Sequence, residues 1–202
     1  MIERTPAARQ VRWRPKGYRG LGHTTLGSGV LALSETVRLP ELLFDKESAE
    51  ALRSVQPRAW YPIQMLLEPL ERLDAVLGPS SLREIGVALF RLTHEAAFRR
   101  EASSARDIVY GIDGMYRRAN RGIDIGGWEV LRFEPGAAAL EKTTPHHCVM
   151  EEGILEAAFK ALGLPAVIYQ ARCVRKGDQA CEYHITSHVS DERWMGAKRS
   201  GR

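Results

Sequence analysis

Residues 166–185 read AVIYQARCVRKGDQACEYHI, and this stretch decides the fold. Apolar residues recur at every second position on either side of Lys176-Gly177-Asp178, which is the period of a strand and not of a helix. Lys-Gly-Asp is turn chemistry, so the stretch predicts an antiparallel hairpin. Val167, Tyr169, Ala171 and Cys173 share one face of its first strand, and Cys181, Tyr183 and Ile185 share one face of its second. Counting outward from Gly177 sets Lys176 against Asp178, Arg175 against Gln179, Val174 against Ala180 and Cys173 against Cys181. Opposed Cβ atoms in such a pair lie about 4.5–5.5 Å apart, close enough for two thiols to share a ligand.

Upstream of the hairpin, Thr144-Pro145 opens a helix carrying Val149, Met150, Ile154, Ala158 and Leu162, and Gly163 ends it. Before that helix, the period-two stretches Trp128 to Phe133 and Ala137 to Lys142 flank a Glu134-Pro135-Gly136 turn. Earlier still the pattern is helical. Ile63 to Leu77 shows apolar residues at three- and four-residue steps, with Pro69 predicting a kink. The next helix is capped by Ser80 or Ser81 with Glu84 closing a capping box, and buries Leu82, Ile85, Leu89, Leu92 and Ala96. A further helix runs from Ser104 to Ala119, and shorter ones cover Pro40 to Leu43 and Ser48 to Val55. Gly20 to Gly29 reads as a loop or a ragged first strand, and Val30 to Leu33 as a segment able to join a sheet. The order implies an α+β fold, with several helices packed on one face of an antiparallel four- to five-stranded sheet.

The 202 residues are 44% apolar and 27% charged, a composition for one globular domain. No apolar run is long enough to span a membrane and the basic start lacks the apolar core of a secretory signal, so the expected location is the cytoplasm. The net charge of +4 is uneven: residues 1–19 and 192–202 are basic and the middle is mildly acidic. The expected organisation is a basic tail over 1–19, one domain over 20–190 and a basic tail over 191–202. Those ends are either solvated tails or an arm for nucleic acid or anionic lipid, with Trp13 and Tyr18 interleaved among the cations.

Three cysteines, Cys148, Cys173 and Cys181, make no disulfide framework. They are either buried apolar residues or metal ligands one short of a tetrahedral zinc shell, which His146, His147 or Gln170 could complete, His147 giving the common three-cysteine, one-histidine set. Nucleophile-elbow, phosphate-loop and zinc-protease motifs are absent, which argues against a self-contained enzyme. Trp60, Tyr61, Tyr110, Tyr116 and Trp128 either line an apolar cavity or fill the core.

The run Cys148-x4-Gly153, then Cys173-x3-Gly177-Asp178-x2-Cys181-x-Tyr183, resembles the vinyl-4-reductase-type small-molecule-binding domain. That family shares one fold with haem–nitric-oxide-binding and vesicle-tethering (TRAPP-type) proteins. Trp60-Tyr61-Pro62 and Leu77-Gly78 are similar to its bacterial, especially myxobacterial, members. The resemblance implies zinc on Cys148, Cys173 and Cys181, with Gln170 standing where the zinc-binding members have glutamate. It implies a ligand pocket containing Trp128, and pairing of two copies through their helices. Haem is set aside, because the Tyr-x-Ser-x-Arg signature of the haem relatives is missing and His94 lies on a helix without a supporting motif. The expected function is a cytoplasmic, non-catalytic sensor or adaptor that binds a small apolar ligand and acts on an output protein as a homodimer. The alternatives are an accessory subunit of a tetrapyrrole or other reductase, and a nucleic-acid-associated protein acting through the basic ends.

Overall fold

The structure, a computed structural model, describes residues 22–37, 41 and 44–196. The expected N-terminal tail and most of the short helix from Pro40 to Leu43 lie outside them. The four-stranded antiparallel sheet consists of β4 (Trp128–Glu134), β5 (Ala137–Lys142), β6 (Val167–Arg172) and β7 (Cys181–Thr186), in the order β4-β5-β7-β6. A second, small antiparallel sheet joins β1 (Thr24–Leu26) to β2 (Trp60–Pro62) on one side and β3 (Asn120–Arg121) on the other. The helices are α1 (Gly27–Thr36), α2 (Lys46–Arg53), α3 (Gln64–Leu77), α4 (Pro79–Leu89), α5 (Glu95–Glu101), α6 (Ala105–Ala119), α7 (Cys148–Ala161) and the short α8 (Glu192–Met195). The α+β reading holds, and no described helix is long and apolar enough to cross a membrane.

The inner face of the large sheet follows strand parity. Tyr183 and Ile185 of β7 and Ala138 and Leu140 of β5 are buried. Strand β6 departs from the simple alternation. Val167 and Tyr169 pair with Thr186 and His184 and are exposed, so they belong to the outer face. The register then slips between Gln170, which pairs with Tyr183, and Arg172, which pairs with Glu182. Ala171 is the extra residue of a β-bulge, and one extra residue reverses which face the following side chains take. Cys173 therefore turns inward, and does not share the face of Val167 and Tyr169 as strict alternation implied.

Helix α7 is buried on nearly all sides, and it crosses α4 at two glycines. A Cβ at Gly86 would stand 1.9 Å from the Met150 carbonyl oxygen, and one at Gly153 would stand 2.1 Å from the Arg83 carbonyl oxygen. The two backbones touch, so any side chain at either position pushes the helices apart. Gly86→Ala is expected to lower stability by about 2–3 kcal/mol, as overpacking does, read as a drop in the urea midpoint. A loss within about 0.5 kcal/mol would show that the helices do not meet this closely.

Three local expectations are corrected. Val30 to Leu33 is helical, inside α1, because a short apolar run buried on every side carries no period that separates helix from strand. Helix α4 is started by Gly78 and Pro79, with no side-chain cap from Ser80 or Ser81. Helix α7 begins at Cys148, not Thr144, with the His147 ring accepting from the Val149 amide as its cap. At the C-terminus, Trp194 of α8 is completely buried, so residues 192–195 are part of the domain rather than of a tail.

Candidate functional site

Helix α4 does not run smoothly into α5. A π-helical turn, Phe90–His94, joins them, closed by the Glu95 amide donating to the Phe90 carbonyl. Such turns insert one residue into a helix, and they cluster at functional sites. Here the turn delivers His94 to the interior. Its ring is buried and packs against Phe90, the ring centroids 6.5 Å apart. Burial pushes its pKa down to about 3, the Arg118 charge adding to the effect, so the imidazole is neutral.

His94 lines a cavity of about 20 Å³, room for one water molecule. Its walls come from α1, α4, α6, β4 and α7, with Leu89, Ile112, Met115, Tyr116, Trp128 and Ile154 supplying most of the apolar lining. The polar lining is Thr25, Thr93, Asn120, His146 and Glu151. Asn120 donates to the Tyr116 carbonyl, while its Oδ1 is buried without a partner. The His146 ring packs edge-on against Tyr116, and its Nε2 is likewise buried without a partner. Glu151 accepts from the Thr144 hydroxyl at 2.8 Å and lies 3.2 Å from His146 Nδ1, off the line of a hydrogen bond. Burial favours the neutral acid at Glu151, but His146, Lys142 and Thr144 outweigh it and hold the carboxyl below its ordinary pKa. A carboxylate, two histidines, an amide and two threonines thus meet in one small space with apolar walls.

A second cluster lies at the other side of the first turn of α7. Cys148 Sγ is 3.3 Å from Cys181 Sγ and 3.6 Å from Cys173 Sγ, and all three thiols are buried. The fully buried Lys142 donates to the His146 carbonyl at 2.6 Å and places its ammonium 3.9 Å from Cys148 Sγ. Cys148 is held down to about 4, first by the Cys181 thiol donating to it, then by Lys142, Gln170 and Cys173. Cys173 is pushed up by burial and by the charge on Cys148, and Cys181 is pushed up by its hydrogen bond to Cys148 and by burial. The Lys142 ammonium and the two neighbouring thiols thus favour the thiolate at Cys148 over its partners.

The structure brings together the three cysteines and not the histidine expected with them. His147 caps α7 through Nδ1, and its Nε2 lies 3.2 Å from the Asp74 carboxylate of α3, away from the thiols. Of the aromatic residues expected at a pocket, Trp128 and Tyr116 line the cavity. Tyr110 is 54% exposed on the far side of α6, edge-on to Phe133 and under the Arg106 guanidinium. Trp60 is in the small sheet beneath Arg121, 3.6 Å from guanidinium to ring centre. The sequence reading does not place Lys142 at the thiols or Asn120 and Glu151 at the cavity, and His146, a candidate fourth ligand for the thiols, lines the cavity instead. Lys142 was legible in principle, because it continues the inward parity of Ala138 and Leu140 along β5.

No protein-family model matches the chain, and no curated protein matches it. Solved structures do. An H-NOX protein from S. oneidensis in the Fe(II) ligation state superposes with a TM-score of 0.62 at 16% identity, over 83% of this chain and 99% of that one. An oxygen-binding H-NOX domain related to soluble guanylate cyclases, in its oxygen complex, gives 0.58 at 12% identity, over 81% and 93%. A structure described by modulation of haem redox potential through porphyrin distortion gives 0.56 at 11% identity, over 81% and 93%.

The fold is that of H-NOX proteins. This corrects the family resemblance read from the cysteine hairpin: the structural likeness is to H-NOX domains, not to vinyl-4-reductase-type or vesicle-tethering ones. A motif confined to the C-terminal end reports one hairpin and one helix start, whereas the superposition covers 83% of this chain. It also overturns the expectation that put zinc forward and set haem aside, since the proteins sharing this architecture are described by Fe(II), oxygen and haem.

Proposed function

We propose that this chain is a small-molecule-sensing domain, without catalysis of its own, whose ligand site is the cavity beside His94. One observation carries the reading: a buried, neutral imidazole delivered by a π-helical turn to the wall of a small cavity. A neutral histidine nitrogen is the commonest protein ligand for a metal. The haem of the structural neighbours is the group such a donor suits, with a histidine on iron and an apolar wall about the ring. When bound, haem would supply an iron centre for a diatomic gas.

This chain's residues provide the donor, His94, and the apolar wall, Leu89, Ile112, Met115 and Ile154. The cavity holds about one water, so admitting a macrocycle requires its walls to part. Glu151 and Ile154 at the cavity belong to α7, the helix that spans from the thiol cluster to α4 and α5. A ligand that displaces those side chains therefore moves the element that contacts most of the domain, which is how occupancy would be reported to a partner protein.

The test is uptake of ferrous haem by purified protein under anaerobic conditions, followed by its Soret absorbance. Wild type is expected to retain one equivalent through gel filtration, and His94→Gln to lose it. Absence of a Soret band from the wild-type protein fraction, or equal retention by His94→Gln with its fold intact by circular dichroism, would overturn this reading.

A further inference from the structure

The inner face of the large sheet belongs to the core, and its outer face carries a charge pattern that the ligand cavity does not use. We propose that this outer face is the docking surface for the chain's own basic N-terminal segment, with Arg12, Arg14 and Lys16 set on a row of glutamates. The row crosses three strands. Glu129 of β4 is the register partner of Glu141 of β5, and Glu141 is in turn the partner of Glu182 of β7. Register partners point to the same face of an antiparallel sheet, so the three carboxylates stand side by side. With neighbouring strands about 4.8 Å apart, the row is about 10 Å long. Pairing with Ala139 and Ala137 sets Arg132 and Glu134 on the same face, and pairing with Glu182 sets Arg172 there. Glu129, Glu134, Glu141 and Glu182 against Arg132 and Arg172 leave that face at −2, four acids against two bases, His184 aside. Val167 and Tyr169 of β6, on the same face, are 66% and 49% exposed. Like charges at directly opposed positions cost stability, and a cationic segment laid across the row offsets that cost.

Residues 1–19, which lie outside the described ones, hold Arg4, Arg9, Arg12, Arg14, Lys16 and Arg19 against Glu3, a net of +5 from six cations and one acid. Arg12, Arg14 and Lys16 alternate with Val11, Trp13 and Pro15. Pro15 biases the residue before it, Arg14, towards extended backbone. In an extended chain the three cations share one side, about 6.6 Å apart, a spacing that long side chains match to the pitch of the glutamates. The row is within reach. The His23 ring meets the Ile123 carbonyl at 2.6 Å, and Ile123 stands six residues ahead of Glu129. Six residues span at most about 21 Å, and the six steps from Lys16 to Gly22 cover the same distance. Docking there gives the N-terminal cations to the sheet rather than to nucleic acid or anionic lipid. It also lays them beside β4, whose Trp128 is a wall of the ligand cavity.

The experiment treats the full chain with a zero-length carbodiimide, which joins a lysine amine to a carboxylate touching it, and maps the peptides by mass spectrometry. Lys16 is the one lysine among residues 1–19, so its partners are read directly. A mixture of isotopically light and heavy protein separates links within one chain from links between two. The expected product joins Lys16 to Glu129, Glu141 or Glu182 within one chain at low salt. Its yield should fall at least about tenfold in molar salt, where the screening length is about 3 Å. Glu141→Lys is expected to lower the links to Glu129 and Glu182 about tenfold with the fold intact by circular dichroism, and adding Arg14→Glu to restore them. Lys16 joined mainly to other carboxylates would put the segment elsewhere and overturn the proposal. Links found only between two chains would give the face to a second copy, and the absence of any Lys16 link would leave the segment to a nucleic acid or a membrane; either overturns it. So would links that persist unchanged in folded Glu141→Lys protein.

Discussion

Trp194→Ala is expected to lower the stability of the domain by about 3–5 kcal/mol, the usual cost of removing a large buried aromatic side chain. Trp194 has no exposed surface, although only eight residues follow it in the sequence. Its ring stacks on Phe133 with 6° between planes and meets Phe159 of α7 at 5.9 Å between centroids. Its indole nitrogen donates to the Glu134 carbonyl at 2.8 Å, satisfying the β4–β5 turn. Alanine removes the ring, leaves a cavity between β4 and α7, and strips that carbonyl of its donor. Urea unfolding should show a lower midpoint with an unchanged slope. A loss below about 1 kcal/mol would mean that α8 contributes little to the fold.

The second large effect is acid sensitivity through His94. In the unfolded chain the imidazole gains its proton near its ordinary value of 6.5, and in the folded chain not until about 3. Between those values the unfolded state binds a proton that the folded state refuses. Stability contributed by the neutral histidine is therefore fully present above pH 6.5 and is lost as the pH falls towards 3. The whole contribution is on the order of 4 kcal/mol, most of it gone by pH 4. His94→Gln has no proton to gain, so its stability should fall less between pH 7 and pH 4 than that of the wild type. Equal losses in the two proteins would show that His94 is solvated or already charged in the folded state.

How much of this was legible in the sequence depends on the kind of signal. The hairpin around Gly177 in outline, the helices α3 and α6, and the four strands of the large sheet follow from period and turn chemistry; α4 instead stops at Leu89, which leaves Leu92 and Ala96, expected to be buried, exposed, and α7 starts at Cys148 rather than Thr144. Val30 to Leu33 failed because a fully buried run has no polar side to set its period. The π-helical turn failed for a different reason. Phe90 to His94 continues the apolar spacing of α4, and only the hydrogen-bond ladder reveals that one turn is wider. His94 was therefore weighed as an ordinary helix histidine and set aside, while the wider turn is what aims it at the cavity. Tyr110 and Trp60 were grouped with Trp128 because aromatic residues attract that reading, yet helix phase and the small sheet carry them elsewhere.

The three cysteines show the division most clearly. The sequence by itself determined that Cys173 and Cys181 flank one turn and that Cys148 opens the next helix upstream, because strand period and loop length are local properties of the chain. It also determined the α+β order of elements and the basic composition of the ends. Only the tertiary structure decided that the thiols meet. The bulge at Ala171 turns Cys173 inward, Gly86 and Gly153 let α7 settle onto α4, and the parity of β5 brings Lys142 beneath Cys148. Each of these is a contact between segments far apart in the chain, and such contacts are fixed by packing and close backbone approach, which no local period records.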